Sequence, residues 1–183
     1  MSARIASAAP PYPLSIQSRF DNLMPPGVPP LALFTMLARD ERLFERFMGG
    51  GLLDKGNLTL RQREVVIGRV TGQCSCEYEW GVHVAFFARK AELTEAQLHS
   101  LVCGGPDDEC WTDESDRRLI RVCDALHRDA TLDDDLWSAL SAGFPEQACL
   151  EILMLAGFYR TVSYLANATT LPLESYAARF PRR

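Results

Sequence analysis

Little in this chain is suited to holding nucleic acid, metal or membrane. Lys and Arg together number 19 against 24 Asp and Glu, a net charge of -5 with a pI near 5.2. No basic surplus exists to neutralise phosphates, which excludes the ordinary route to a nucleic-acid partner. Histidine occurs three times, a thin basis for a metal centre. The six cysteines at 74, 76, 103, 110, 123 and 149 do not follow zinc-ribbon or zinc-finger spacing. No stretch alternates with period two, and no Asn-Gly or Asp-Gly hairpin turn is present. Strands are therefore not expected and an all-α fold is. Met1 to Pro13 lacks the apolar core of a signal peptide, so reduced thiols and a cytoplasmic location are expected. The longest apolar run, Ala148 to Ala168, is broken by Glu151 and Arg160 and reads as a buried helix, not a membrane span.

What is present fits one globular domain. The 183 residues are 47% hydrophobic with mean hydropathy -0.08, enough for a sizeable core. Residues 1–30 hold seven of the eleven prolines, at 10, 11, 13, 25, 26, 29 and 30. Such a segment is not expected to stay helical; it predicts an extended arm lying on the body or reaching a neighbour, with Met1 to Ala9 equally readable as a free tail. Leu31 to Met48 carries apolar residues at three- and four-residue steps, with a restart at Asp40-Glu41 and a stop at Gly49-Gly50-Gly51. Thr59 and Gln62, and again Thr94 and Gln97, form capping-box pairs that open helices. Asp113 to Arg128 is amphipathic, Thr131 to Ala142 is a short helix, and Pro145 opens a long helix to Thr169. Leu150, Ile152, Leu153, Leu155, Phe158, Val162 and Leu165 make that helix the expected core spine. Leu171 to Arg183 is a tail.

The chemistry concentrates between Arg63 and His83. Two helices with a joint at Thr71 to Ser75 would set Cys76, Glu79 and His83 at i, i+3 and i+7 on one face, with Glu64 on the preceding helix folded alongside. A thiol at a helix N-terminus is expected to be acidified. His83 titrates near neutrality, Glu79 can orient it or act itself, and two adjacent carboxylates can serve as acid and base. The catalytic candidates are thus Glu64, Cys76, Glu79 and His83, with Cys74, Tyr78, Trp80 and His127 as substrate-binding or supporting groups. Each has a plainer reading: Cys76 as a small hydrophobe, Glu79 and His83 as a surface pair, Tyr78 and Trp80 as packing, and His127 as a charge suited to its helix C-terminus. No metal ligand set is expected.

The spacing Glu64, eleven residues, Cys76, two residues, Glu79, three residues, His83 resembles the motif of the carboxymuconolactone decarboxylase and AhpD-like superfamily. The run Cys-Glu-Tyr-Glu-Trp-Gly-Val-His is similar to a branch of it. So are Gly104 to Asp108, Cys123 to His127 and Tyr164 to Ala168 with Pro172; the resemblance spans roughly residues 30–173 of the sequence. It implies an AhpD-like helical domain over 31–173, after the arm at 1–30 and before a tail at 174–183, assembling as a homo-oligomer of two, three or six subunits. It also implies one of two activities on a small molecule. Decarboxylase members act on a carboxylated lactone without a cofactor, by acid–base chemistry that suits Glu64, Glu79 and His83. Thiol peroxidases of the superfamily use a Cys-x-x-Cys pair; here the second position is Glu79 and the intervening histidine is Tyr78. Cys74 offers only a close Cys-x-Cys substitute, whose disulfide would be strained. A cofactor-free lyase or isomerase is therefore the first expectation, a thiol peroxidase using Cys76 with Cys74 the second, and a non-catalytic ligand-binding oligomer the third.

Overall fold

A computed structural model describes residues 3–25 and 27–182; Met1, Ser2, Pro26 and Arg183, which fall in the expected arm and tail, lie outside the described residues. The described residues form α-helices joined by turns and loops. These are α1 (Leu14–Leu23), α2 (Ala32–Leu37), α3 (Glu41–Gly50), α4 (Leu60–Gln73), α5 (Glu77–Phe87), α6 (Glu95–Cys103), α7 (Glu114–Asp129), α8 (Asp134–Gly143) and α9 (Glu146–Thr169).

α4 is the centre. It packs against α5, α6, α7 and α9, and Val65, Val66, Ile67, Gly68, Arg69, Val70, Thr71 and Gly72 are all buried. Two features begin and position it. Thr59 and Gln62 form the reciprocal cap expected from their spacing, which satisfies two otherwise orphaned amides. Gly68 and Gly72 let α6 approach closely, since a Cβ on either would meet Leu101 within 2.8 Å. α9 is long and apolar enough by composition alone to cross a membrane, but its inner face, including Ile152, Leu155, Tyr159 and Val162, is buried in the core.

Several sequence expectations change in detail. The proline-rich arm is not wholly extended: Leu14–Leu23 is helical. Pro13 caps that helix, the next ten residues contain no proline, and Ile16 and Phe20 recur one turn apart to bury against Phe44. The stretch before it lies on the body, with the Arg4 amide donating to the Thr169 carbonyl at 2.8 Å and that of Ala8 to Thr35 at 2.9 Å. Asp40 does restart the chain, capping the Leu43 amide, yet α3 continues through Gly49 and Gly50 and does not stop before them. α8 begins at Asp134, three residues later than expected, because Asp133 is its capping side chain. Pro145 precedes α9 as its cap. Leu150 does not belong to the core spine; it is 62% exposed.

The C-terminal tail is a packed strap. Glu174 accepts hydrogen bonds from the Tyr78 hydroxyl at 2.7 Å and the Ala32 amide at 2.6 Å. The Ala178 amide donates to the Gly81 carbonyl at 3.0 Å, and the Phe180 ring lies 5.2 Å from that of Trp80. α5 thus runs between the core and a segment of its own chain.

Candidate active site

The joint between α4 and α5 is short because Ser75 adopts φ 51°, a left-handed turn that reverses the chain within three residues. The Cys76 amide then donates back to the Thr71 carbonyl at 2.8 Å, and Cys76 caps α5. This folds Glu64 of α4 against His83 of α5. Glu64 Oε2 lies 2.8 Å from His83 Nδ1. On the other side of the ring, Nε2 lies 3.0 Å from the Tyr159 hydroxyl and 3.4 Å from Glu79 Oε1. The His83, Glu64 and Glu79 side chains are 6%, 3% and 8% exposed, so this is a dry cluster and not a surface pair.

Burial alone would strip the proton from His83, but the adjacent Glu64 charge and hydrogen bond, helped by Glu79, more than offset it and hold the pKa at about 9. At neutral pH both ring nitrogens therefore carry protons. Nδ1–H donates to Glu64, and Nε2–H is directed at Tyr159 and Glu79. The Tyr159 phenol is kept neutral, raised well above its ordinary value by burial and by the two carboxylates.

Tyr159 was not among the sequence candidates. Its signal was faint: a hydroxyl in an apolar helix must find a partner when buried, but the sequence does not say which. Trp80 does join the site. With Glu64, His83, Gly68 and Leu101 it bounds a cavity of about 10 Å³, room for about one water molecule. Glu64 Oε1, Glu79 Oε2 and Trp80 Nε1 are buried with no hydrogen-bond partner in the protein, unusual for groups so costly to desolvate.

The other candidates separate from this cluster. Cys76 is fully buried, and burial pushes its thiol up to about 11, more than the Glu79 amide and the Ser163 hydroxyl draw it down. The expected acidified thiolate is thus overturned: desolvation outweighs the helix terminus. Tyr78 ties the strap to α2, donating to Glu174 and accepting from the Leu33 amide at 3.1 Å. Cys74 and His127 lie apart, on a groove of about 470 Å³ shared with Arg160, Ser163, Tyr164 and Asn167. A second groove of about 520 Å³ continues from it along α7 and α9. His127 does not gain charge from its helix terminus; burial and the Arg160 guanidinium lower its pKa. Among the described residues no group of three or more His, Cys, Asp or Glu side chains is placed to hold a metal ion.

Both residues of the Glu64–His83 contact fall in one short segment that is similar to known proteins. Residues 41–103 match the model of the carboxymuconolactone decarboxylase family, about a third of the chain. That segment supplies α3 to α6, while Tyr159 comes from outside it. Solved structures of the same fold cover nearly the whole chain. An uncharacterized peroxidase-related protein from Silicibacter sp. TM1040 superposes with a TM-score of 0.79 at 18% identity, covering 96% of this chain and 95% of that one. A protein from Ralstonia eutropha JMP134 described as an alkylhydroperoxidase AhpD core gives 0.80 at 17%, covering 95% of each. The debrominase Bmp8 in complex with 2,3,4-tribromopyrrole gives 0.73 at 14%, covering 96% and 94%. No curated protein sequence matches the chain. At these identities the neighbours show a shared all-α, AhpD-like fold.

Proposed function

We propose that the protein is a cofactor-free acid–base enzyme, a lyase or isomerase acting on a small carboxylated lactone or other enolisable molecule. The observation that carries this reading is the buried chain Glu64–His83–Tyr159, with Glu79 as a second carboxylate on the same imidazole. His83 is held as a cation by Glu64 and presents Nε2–H as a general acid. Glu79, with one oxygen unpaired, is the matching base. In a decarboxylation the carbon–carbon bonding pair stays on the substrate as an enolate while carbon dioxide leaves. The proton from His83 Nε2 then goes to carbon and is restored from solvent through Glu79. In an isomerisation Glu79 removes a proton from one carbon and His83 supplies one to another. Entry requires the side chains that line this cavity to move, since the space beside His83 holds no more than a water-sized body.

The test is a panel of carboxylated lactones and enolisable acids in deuterated water. Carbon dioxide release or deuterium uptake is expected from the wild type, reduced about 10²–10⁴-fold in His83→Gln and Glu79→Gln. Turnover unchanged in His83→Gln sinks the proposal.

A second reading, thiol-driven reduction, is favoured by one observation: Cys74 is half-buried at the mouth of a groove beside Arg160, two positions from Cys76. Two structural neighbours are named for peroxidase-related or debrominating proteins. Peroxide, or a bromopyrrole, would be consumed with a dithiol donor and spared in Cys74→Ser. Full consumption in both Cys74→Ser and Cys76→Ser removes this reading.

A further inference from the structure

The cavity beside His83 discriminates by hydrogen-bonding type. Among the described residues its lining side chains keep two polar atoms without a partner: Trp80 Nε1, a donor only, and Glu64 Oε1, as carboxylate an acceptor only. Trp80 is 3% exposed and Glu64 4%, so bulk water does not serve them, and each is costly to leave unpaired. Both nitrogens of His83 are occupied in the resting arrangement, Nδ1 by Glu64 Oε2 at 2.8 Å and Nε2 by the Tyr159 hydroxyl at 3.0 Å. Glu79 keeps an unpaired oxygen as well, but lies outside the lining. The rest of the wall is apolar, with Val84, Leu93, Leu98 and Leu101 supplying most of it.

We propose that this cavity recognises a neutral hydroxyl or enol group on an apolar body, and not a carboxylate. A hydroxyl oxygen accepts from Trp80 Nε1–H while its own proton goes to Glu64 Oε1, so one group settles both unpaired atoms. It is also about the size of a water molecule, which is what the space admits. A carboxylate has acceptors only. It could take the indole N–H, but it would leave Glu64 Oε1 unpaired and set a second negative charge beside it. The His83 cation is already matched by Glu64, and among the described residues no lysine or arginine lines the cavity. Arg63 Nε stands 3.8 Å from Glu64 Oε1, yet Arg63 is outside the lining and its Nη1 is held by the Leu53 and Asp54 carbonyls at 2.9 and 3.2 Å. A ketone or ether, with an acceptor and no donor, meets half of the requirement.

On the acid–base reading of His83, on which this rests, the substrate class narrows. Of carboxylated lactones and other enolisable molecules, the second fits, bound through its enol. The apolar body enters past Val84, Leu93 and Leu98, which are half-buried while the other lining residues are buried.

Phenol, an aromatic enol that is neutral at neutral pH, is the probe, with anisole and benzoate as its donor-free and ionised counterparts. The readout is the Trp80 indole N–H resonance of the isotope-labelled full chain. Phenol should move it saturably and leave in place those of Trp137 and of Trp111, which already donates to Ser100 Oγ at 2.7 Å. Anisole should bind roughly tenfold more weakly. Benzoate should not move the resonance at concentrations where phenol saturates it. An unmoved Trp80 resonance with phenol, or anisole or benzoate binding as tightly as phenol, overturns the proposal. Binding is read here without turnover. Phenol binding as expected beside full turnover in His83→Gln would therefore remove the reaction and leave the preference of the cavity standing.

Discussion

His83 sits where two opposing effects are both large. Its ring is buried, which favours the neutral form, and it touches Glu64 and lies near Glu79, which favour the cation; the carboxylates win, at about 9. The folded value is thus above the unfolded one of about 6.5. Its contribution to stability is fully present below pH 6.5 and is lost as pH rises through 9, on the order of 3 kcal/mol in all. The thermal midpoint of the wild type should therefore fall between pH 6.5 and 9.5. That of His83→Gln should be lower at pH 6.5 and flatter across the window. Ring-proton titration by NMR gives a second check: Glu64→Gln should move the His83 midpoint downward, and an unmoved midpoint would show that Glu64 does not hold the proton. His83, Glu64 and Glu79 were legible because a helix repeat and one short joint bring them together from within twenty positions of sequence. Tyr159 was not, since its place beside His83 depends on how α9 crosses α5. The thiolate at Cys76 was misread for a related reason: the helix terminus is local and visible in sequence, whereas the depth of burial that overrides it is not.

At the scale of elements, the α4–α5 hairpin and most helix starts followed from local rules. Both capping boxes form as their spacing demanded, and a cap needs only four consecutive residues. The arm and the tail depended on tertiary partners. α1 is stabilised by Phe44, and the strap by Tyr78, Gly81, Trp80 and Ala32, none of which a local pattern announces. Gly81 shows how closely the strap lies on α5: a Cβ there would overlap the Ala178 carbonyl oxygen. Because the obstruction is backbone, it does not rotate aside. Gly81→Ala should cost about 1–3 kcal/mol by overpacking, despite the better helix propensity of alanine. It should also release the strap, so that limited proteolysis cuts after Arg179 faster than in the wild type. A midpoint in urea at or above that of the wild type would mean that the strap contributes nothing to holding α5.

For the molecule as a whole, the question is what keeps α4 fixed against its neighbours while it presents Glu64. Apolar packing surrounds it, but Arg69 supplies the directional tie. Its guanidinium donates to both Asp124 oxygens, at 2.6 and 3.0 Å, which anchors α7. Its remaining arm donates to the carbonyls of Ser100, Leu101 and Gly104 at 3.3, 3.2 and 2.9 Å, satisfying the end of α6. The Arg69 side chain is 9% exposed and that of Asp124 25%, so solvent screens the pair only from one side. Removing the arginine leaves the Asp124 carboxylate with Gln73 Nε2, at 2.7 Å, as its remaining donor and takes the guanidinium from the Leu101 and Gly104 carbonyls. Arg69→Ala should cost about 3–5 kcal/mol, more than cavity formation alone would explain. Arg69→Lys should recover only part of it, because an ammonium cannot span the carboxylate and the α6 carbonyls at once. Arg69→Ala with Asp124→Ala should cost less than the sum of the single changes, since the stranded charge goes with its partner. Urea titration of the four proteins decides the matter. Strict additivity would mean that the two groups act independently and that α4 is held by its apolar faces alone.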